Sequence, residues 1–419
     1  MSNSDAAKTD RTTFDVLFEP LGAFLEQHDR DHPPHPREKL PFKKFVRTLV
    51  YHFTQNCGSG RQLLTDVSTA EPELELGEVK RSTFFDAFQR FPVVWFASLL
   101  SYLLATVVWQ AIPELEVLGK LYCVDGSIFP AIASVLWAEY RSKHQAIRLH
   151  LCFELNRMIP AHFLVDTGKS NEKKALHQML EAGVTYIADQ GYLSFPLLAA
   201  IVAANAFFII RAKANLVYTR VERLPVNLPN TVQHLFRHVT DQRVRLTNAQ
   251  GTPVYRLVSF YVGQERYLIL TSRLDLTTFQ IILLYAYRWQ VELIFRFLKR
   301  SLNGLHLLSH SQEGVTIHFS ALLISALLQL RLKQQCVAVY DEASLLAVPW
   351  SLPEPAEPVI AGLMINPQQL AGTRGHTFLA TVGQKLHRYW KISRHWLVAL
   401  RNFLARPFEA QVVQALARL

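Results

Sequence analysis

Between Leu118 and Arg211 short apolar runs alternate with polar turns, and two of the runs end on an aspartate; this pattern constrains the fold more than any other. Leu121-Tyr122-Cys123-Val124 reads as a strand that delivers Asp125-Gly126-Ser127 to its C-terminal edge. Ala146–Leu155 and Ala161–Val165 read as a hairpin around Asn156-Arg157. Ser170–Leu180 is an expected helix, Val184–Ala188 a strand ending at Asp189, Phe195–Ala204 a helix, and Phe207–Arg211 a fifth strand. Three antiparallel strands, then helix, strand, helix, strand, is the order of a known mixed α/β topology, and in that topology the first and fourth strands are parallel neighbours. Strands lie about 4.8 Å apart, so Asp125 and Asp189 emerge side by side at one edge. Asp166 also ends a strand, but two spacings away, roughly 10 Å, which is too far to share a cation with Asp125. It reads as a turn residue before Thr167-Gly168.

A second pattern follows downstream. On one α-helix at about 100° per residue, Tyr285, Arg288, Glu292 and Lys299 fall within a stripe roughly 60° wide. Leu284, Tyr287, Val291, Ile294, Phe295 and Leu298 make an apolar face beside it. A carboxylate is thereby held among two cations and a phenol. The plain alternative is a solvated face with an Arg288–Glu292 pair at i,i+4.

The net charge of +10 is concentrated. From Arg211 to Arg300 there are 14 Lys or Arg against 5 Asp or Glu, so 14 − 5 = +9 sits there. Lys385, Arg388, Lys391 and Arg394, followed by Arg401 and Arg406, form a second block with no acid between Lys385 and Arg406. Clustered cation of this kind marks a polyanion footprint, with acidic lipid the weaker rival because no amphipathic anchor accompanies it. Cys57, Cys123, Cys152 and Cys336 form no CxxC pair, which excludes a disulfide framework or zinc ribbon and fits a reducing, cytoplasmic setting. Met1–Thr13 has no apolar run behind a basic start, so no secretory signal is expected. Val93–Ala111 is long enough to span a membrane, but it carries Ser98, Ser101, Thr106 and Gln110 and reads instead as a buried helix. No membrane partner is expected.

The remaining organisation is coarse. Residues 1–36, ending in His32-Pro33-Pro34-His35-Pro36, read as a polar, flexible arm. Residues 37–117 read as a helical domain, with two helices between Leu40 and Leu74 broken at Cys57-Gly58-Ser59-Gly60. A short helix to Arg90 is expected to be capped by Ser82 or Thr83, with Asp86 in capping-box spacing. A helix-turn-helix DNA reader and a plain helical subdomain both fit. Residues 118–333 form the expected catalytic domain, interrupted at about 214–278 by a β-rich insertion with strands at Arg243–Leu246, Val254–Val262 and Tyr267–Thr271, the first two joined across Asn248-Ala249-Gln250-Gly251. Phe319–Lys333 is a helix, residues 334–376 a linker that is Pro-rich from Val348 to Pro367, and residues 377–419 a basic helical segment.

Asp125, Asp189 and Glu292 thus converge if the Tyr285 helix crosses the sheet edge. Oxygen-only ligands from so few side chains suit Mg²⁺, with Mn²⁺ able to substitute. Two such ions about 3.5–4 Å apart activate a water or a 3′-hydroxyl and stabilise the leaving oxygen, which is phosphodiester chemistry.

The strand order resembles an RNase H-like sheet, here with a β-rich insertion and flanking N- and C-terminal helical regions. Across Leu118–Lys333 the residues resemble the DDE transposases of bacterial insertion sequences, specifically the group with a β-strand insertion and a Tyr-x2-Arg-x3-Glu-x6-Lys signature. Tyr285, Arg288, Glu292 and Lys299 match that signature at every spacing. Val124-Asp125-Gly126-Ser127 is similar to the first-Asp motif and Asp189-Gln190-Gly191-Tyr192 to the second, with Gln190 where many members carry a basic residue.

The resemblance implies cut-and-paste transposition through hairpin ends on double-stranded DNA, namely the terminal inverted repeats and a target. Asp125, Asp189 and Glu292 would hold the metals, Arg288 and Lys299 would grip phosphates, and Tyr285 would contact the same backbone. Arg211 and Lys213 match a DNA-contacting position. Tyr267, preceding Leu268-Ile269-Leu270-Thr271, stands where some relatives carry a Trp that stacks a displaced base. Cutting two ends in concert implies a homodimer on DNA, with residues after Pro349 as an interface. An RNase H-like nuclease that cuts without joining, or a DNA-binding protein derived from a transposase, are the alternatives.

Overall fold

A computed structural model of the chain describes residues 13–54, 59–70, 76, 78–141, 144–230, 233–246 and 253–339. The Asn248–Gly251 turn, the Pro-rich linker and the basic C-terminal segment expected from the sequence lie outside the described residues. The described chain divides into two packed units. One holds residues up to Trp109, Ala131–Trp137 and the chain from Arg296 on, and the other holds Gln110–Pro130 and Ala138–Phe295.

The first unit is helical. Its elements are α1 (Thr13–Phe18), a 3₁₀ turn (Glu19–Leu21), α2 (Gly22–Asp31), α3 (Phe42–Thr54), α4 (Gly60–Ser68), α5 (Arg81–Arg90) and α6 (Val93–Thr106). Residues 13–31 are therefore not part of an extended arm. Phe14, Leu17, Phe18, Leu21 and Leu25 recur at helical spacing and are buried, while Asp15 pairs with the buried Arg47 of α3, whose guanidinium lies over the Phe14 and Phe18 rings. The predicted Ser82 or Thr83 cap is also corrected. Helix α5 starts two residues earlier, and its N-cap, Lys80, makes no side-chain bond. Helix α6 ends at Thr106 and buries only one side, through Phe96, Leu99, Leu100 and Leu103. Its opposite stripe of Val94, Ala97, Ser98, Ser101 and Ala105 is exposed, so the expected burial holds for one face only.

The second unit begins with α7 (Pro113–Glu116) and continues through β1 (Lys120–Ala131), β2 (Glu139–Arg141), β3 (His144–Glu154), β4 (Ile159–Thr167), α8 (Glu172–Gln178), β5 (Val184–Ala188), α9 (Phe195–Ala203) and β6 (Phe207–Arg211). Next come β7 (Tyr218–Leu224), β8 (Arg237–Leu246), β9 (Tyr255–Val262), β10 (Glu265–Thr271), α10 (Thr278–Ala286), a 3₁₀ turn (Tyr287–Trp289) and α11 (Gln290–Arg300), whose residues from Arg296 on group with the first unit. The strands make one sheet in the order β2-β3-β1-β5-β6-β10-β9-β8-β7, with β4 paired to β3. Strands β4, β3, β1, β5 and β6 reproduce the expected RNase H-like order, and β1 and β5 are parallel, with Cys123 opposite Ile187.

The insertion joins the central sheet. Strand β10 pairs with β6, Ile269 opposite Arg211, so the insertion strands extend the central sheet; β7, absent from the sequence reading, forms its far edge. Two polar anchors hold the centre. Asn156 accepts from Leu121 N–H at 2.8 Å and donates to Leu115 and Gly119 carbonyls, tying the β3–β4 turn to the start of β1. Arg273, buried, donates to Leu118 O and Thr185 Oγ1 at 2.9 and 2.7 Å.

The chain closes with α12 (Gln312–Val339), which packs on α3, α5 and α6 in the helical unit, so residues 312–333 do not group with the sheet as expected. Its segment Gln312–Leu332 is the one described helix long and apolar enough to cross a membrane, and it is mostly buried within the protein. A helix that is apolar all round is what the centre of a bundle requires.

Candidate active site

Strand alternation decides what reaches the sheet edge. Tyr122 and Val124 point into the core under α8 and α9, so Cys123 and Asp125 face the other way, where Cys123 Sγ meets the Tyr287 carbonyl. Two residues beyond the Cys123–Ile187 pair, Asp125 leaves the buried ladder beside the end of β5, which stops at Ala188. Asp189 then turns the chain, its Oδ1 accepting from Gly191 N–H at 2.8 Å. The two aspartates predicted to be neighbours therefore emerge together.

Their proximity has an electrostatic signature. Burial pushes the Asp125 carboxyl up to about 6; the Gly126 N–H and Arg288 pull against that, and Asp189 and Glu172 push with it. A buried carboxylate beside two more, with one cation in reach, favours a divalent ion of hard-oxygen preference. Asp166 lies on β4, two strands from β1 and opposite Arg148, as its exclusion required.

The Tyr285 segment is not one straight helix. A 3₁₀ turn at Tyr287–Trp289 separates α10 from α11, so the single 100° stripe does not apply across it. Helix α10 starts with a capping box, Gln280 N–H to Thr277 Oγ1 at 3.1 Å and Thr277 N–H to Gln280 Oε1 at 2.8 Å. Its last turn places Tyr285 in the core, 1% exposed. Arg288, in the 3₁₀ turn, is buried and donates to Glu292 Oε1 at 2.8 Å, close enough to Tyr285 to lower its phenol's pKa against the rise from burial, while its Nε has no partner. A solvated face is thus excluded for Tyr285 and Arg288. Glu292, in the first turn of α11, is exposed. Lys299 lies two turns on in α11, half-buried, among the residues of the helical unit.

The structure thus joins Asp125 to Asp189 and Arg288 to Tyr285 and Glu292, with Arg288 linking the two groups through its field on Asp125. Among the described residues no three His, Cys, Asp or Glu side chains are grouped closely enough to hold one ion. Asp125 and Asp189 fit a divalent cation; Glu292 is tied to Arg288 instead.

Two flanking expectations change. Tyr267 is buried, stacked on Phe260 at 5.3 Å, with the Arg211 guanidinium 4.4 Å above its ring. Both faces are covered, so it offers no open platform to a base. Arg211 also pairs with Glu265, and Lys213 is exposed beyond the end of β6.

Glu172, at the start of α8, was not found from the sequence. Its carboxylate pairs with Arg148 of β3 and lies beside both aspartates. No spacing marks it, because it reaches the edge from the opposite face of the sheet.

Comparison with known proteins bears on this arrangement. The family model for the transposase DDE domain matches residues 119–328, half of the chain. A candidate transposase of Sinorhizobium fredii, y4zB, is 26% identical over 251 residues, covering 58% of this chain and 69% of that protein. A transposase assigned to insertion sequence element IS5377 of Geobacillus stearothermophilus is 24% identical over 180 residues, 43% of this chain and 47% of that protein. Among solved structures, a piggyBac transposase synaptic complex with hairpin DNA superposes with a TM-score of 0.41 at 9% identity, covering 96% of this chain and 83% of the other.

Proposed function

Because this chain belongs to the DDE transposase family, we propose that the edge carrying Asp125 and Asp189 cuts an insertion sequence out of double-stranded DNA and joins it to a target. The observation that carries this reading is the emergence of Asp125 and Asp189 together from parallel neighbours, the Asp125 carboxyl held up by burial and by like charge. Asp125, Asp189 and Glu292 would hold Mg²⁺, or Mn²⁺ in its place, as a pair of ions. Bound there, the metal supplies an activated water or 3′-hydroxyl and stabilises the leaving oxygen.

The chain's own residues supply the rest. Asp125 and Asp189 are positioned by the β1–β5 ladder before any ligand arrives. Arg288, packed against Tyr285 and with an unpartnered Nε, presents a cation to a phosphate at the same edge. With that cation taken up by phosphate, the Glu292 carboxylate would be free to serve beside Asp125 and Asp189 as a ligand. Lys213 and Lys299 would each offer a further cation to DNA phosphate. Cutting at both ends and passing through hairpins fit this centre, with two copies of the chain acting together on cytoplasmic DNA.

The test is direct. Purified protein is incubated with Mg²⁺ and a DNA fragment spanning its own gene and flanks, and products are read on a denaturing gel. Discrete cuts at both flanks with hairpin-length products, absent with Glu292→Gln, are expected. Scattered cuts would indicate a nuclease, and identical results from both proteins a DNA-binding protein.

A further inference from the structure

Two glycines beside the aspartates lie within reach of one carboxylate, Gly126 tightly and Gly191 at ordinary van der Waals contact. A Cβ on Gly126, the residue after Asp125, would meet Glu172 Oε1 at 3.2 Å, His150 Nδ1 at 3.2 Å and Arg148 Cδ at 3.3 Å. A Cβ on Gly191, two residues after Asp189, would meet Asp189 Oδ1 at 2.9 Å and Glu172 Oε2 at 3.6 Å. The two oxygens of Glu172 thus lie one against each aspartate-bearing segment.

Glu172 is held there from β3. Arg148 donates to Glu172 Oε1 and to the Gly168 carbonyl, the latter at 3.1 Å. His150, two residues on and 1% exposed, binds Ser170 Oγ through Nε2 at 2.9 Å. Its Nδ1 is buried without a partner and lies against the same Gly126. An orphaned buried nitrogen beside a clamped carboxylate indicates that this pocket is organised around something absent from the fold's own hydrogen bonds.

We infer that Glu172 is a positioning residue of the metal centre, its Arg148-clamped carboxylate adding negative charge and fixing the backbone of both aspartates so that Asp125 and Asp189 bind a divalent cation more tightly. This rests on the metal-dependent reading above and assigns a fourth carboxylate to it. Glu172 acts through the aspartates, reaching the edge from the α8 face while Asp125 faces α10.

The experiment titrates metal-free, full-length protein with Mn²⁺ and follows the electron-spin signal of the free ion, without DNA. Wild type, Asp125→Asn, Glu172→Gln and Glu172→Asp are compared. Glu172→Gln keeps the shape and an acceptor for Arg148 but removes the charge; it is expected to weaken Mn²⁺ binding about tenfold, the size of effect outer partners of a metal site produce. Glu172→Asp, which keeps the charge, is expected to stay within about threefold, a split that a purely structural role would not give. Wild-type affinity in Glu172→Gln, with loss in Asp125→Asn, would overturn this inference alone. Wild-type affinity in Asp125→Asn would overturn the metal reading and this inference with it. If Glu172→Gln does not melt cooperatively, Arg148→Lys replaces it: keeping the cation but losing the fork, it should weaken Mn²⁺ binding several-fold, and an unchanged affinity overturns the inference.

Discussion

Arg288 donates to Glu292 Oε1 at 2.8 Å, with the guanidinium 10% exposed and the carboxylate 53%. The cation suited to phosphate and the acid suited to metal are therefore engaged with each other. With one partner so exposed, the pair contributes at most about 1 kcal/mol, so DNA can displace it. Glu292→Gln is accordingly expected to change unfolding free energy by less than about 1 kcal/mol while lowering DNA cleavage by at least about a hundredfold. Chemical denaturation and single-turnover cleavage check the two halves.

Asp125 works against stability in the absence of metal. Its carboxyl titrates near 6 in the fold and at the ordinary carboxylate value when unfolded, so its contribution is most favourable below about pH 4 and is lost as pH rises through 6. Asp125→Asn should therefore stabilise chelator-treated protein at pH 7.5 by on the order of 1–3 kcal/mol, less at pH 5, and not at all near pH 4. Thermal melts across that range test the sign. A mutant less stable than wild type at pH 7.5 would contradict it.

Asp241 and Arg256 form a buried pair inside the β-rich insertion. Arg256 Nε donates to Asp241 Oδ1 at 2.8 Å, its Nη1 reaches Leu276 O, and Thr278 Oγ1 donates to Asp241 Oδ2 at 2.7 Å. Removing one partner leaves a buried charge unpaired, so Asp241→Ala is expected to cost about 3–5 kcal/mol. The measurement is a shift of the urea midpoint at unchanged slope.

Tyr267 is packed on both faces by Phe260 and Arg211, which assigns it to the sheet rather than to a base. Tyr267→Ala should cost about 3 kcal/mol or more, as for a large core ring. Tyr267→Phe should leave the yield of hairpin products unchanged, and a selective fall in hairpins with normal first-strand nicking would contradict the assignment.

The neighbourhood of Asp125 and Asp189 was legible because it depends on short-range signals: an apolar run, a polar turn, and a fixed strand spacing. The expected strand order appears in the β1–β5 ladder. Other features were less legible. Tyr287–Trp289 tightens into a 3₁₀ turn in a sequence whose apolar spacing reads as continuous α-helix. In residues 13–31 the local signal is present, with Phe14, Leu17, Phe18, Leu21 and Leu25 at helical spacing, but the polar residues on either side mask it. The pairing of β10 with β6 has no local signal, because it spans the insertion. Glu172 was not legible because one glutamate at a helix start has no periodicity; its pair with Arg148 and its contacts at Gly126 and Gly191 identify it.

The claim at the centre of this account is that Glu292 joins Asp125 and Asp189 on the metal once DNA engages Arg288. Protein bound to a DNA end identified on the gel can be loaded with Fe²⁺ in place of Mg²⁺ and exposed to ascorbate and peroxide, and the backbone cuts mapped. Cuts beside Asp125, Asp189 and Glu292 together, lost in Asp125→Asn, are the predicted result. Cuts confined to other segments, or none beside Glu292 with DNA present, would contradict it.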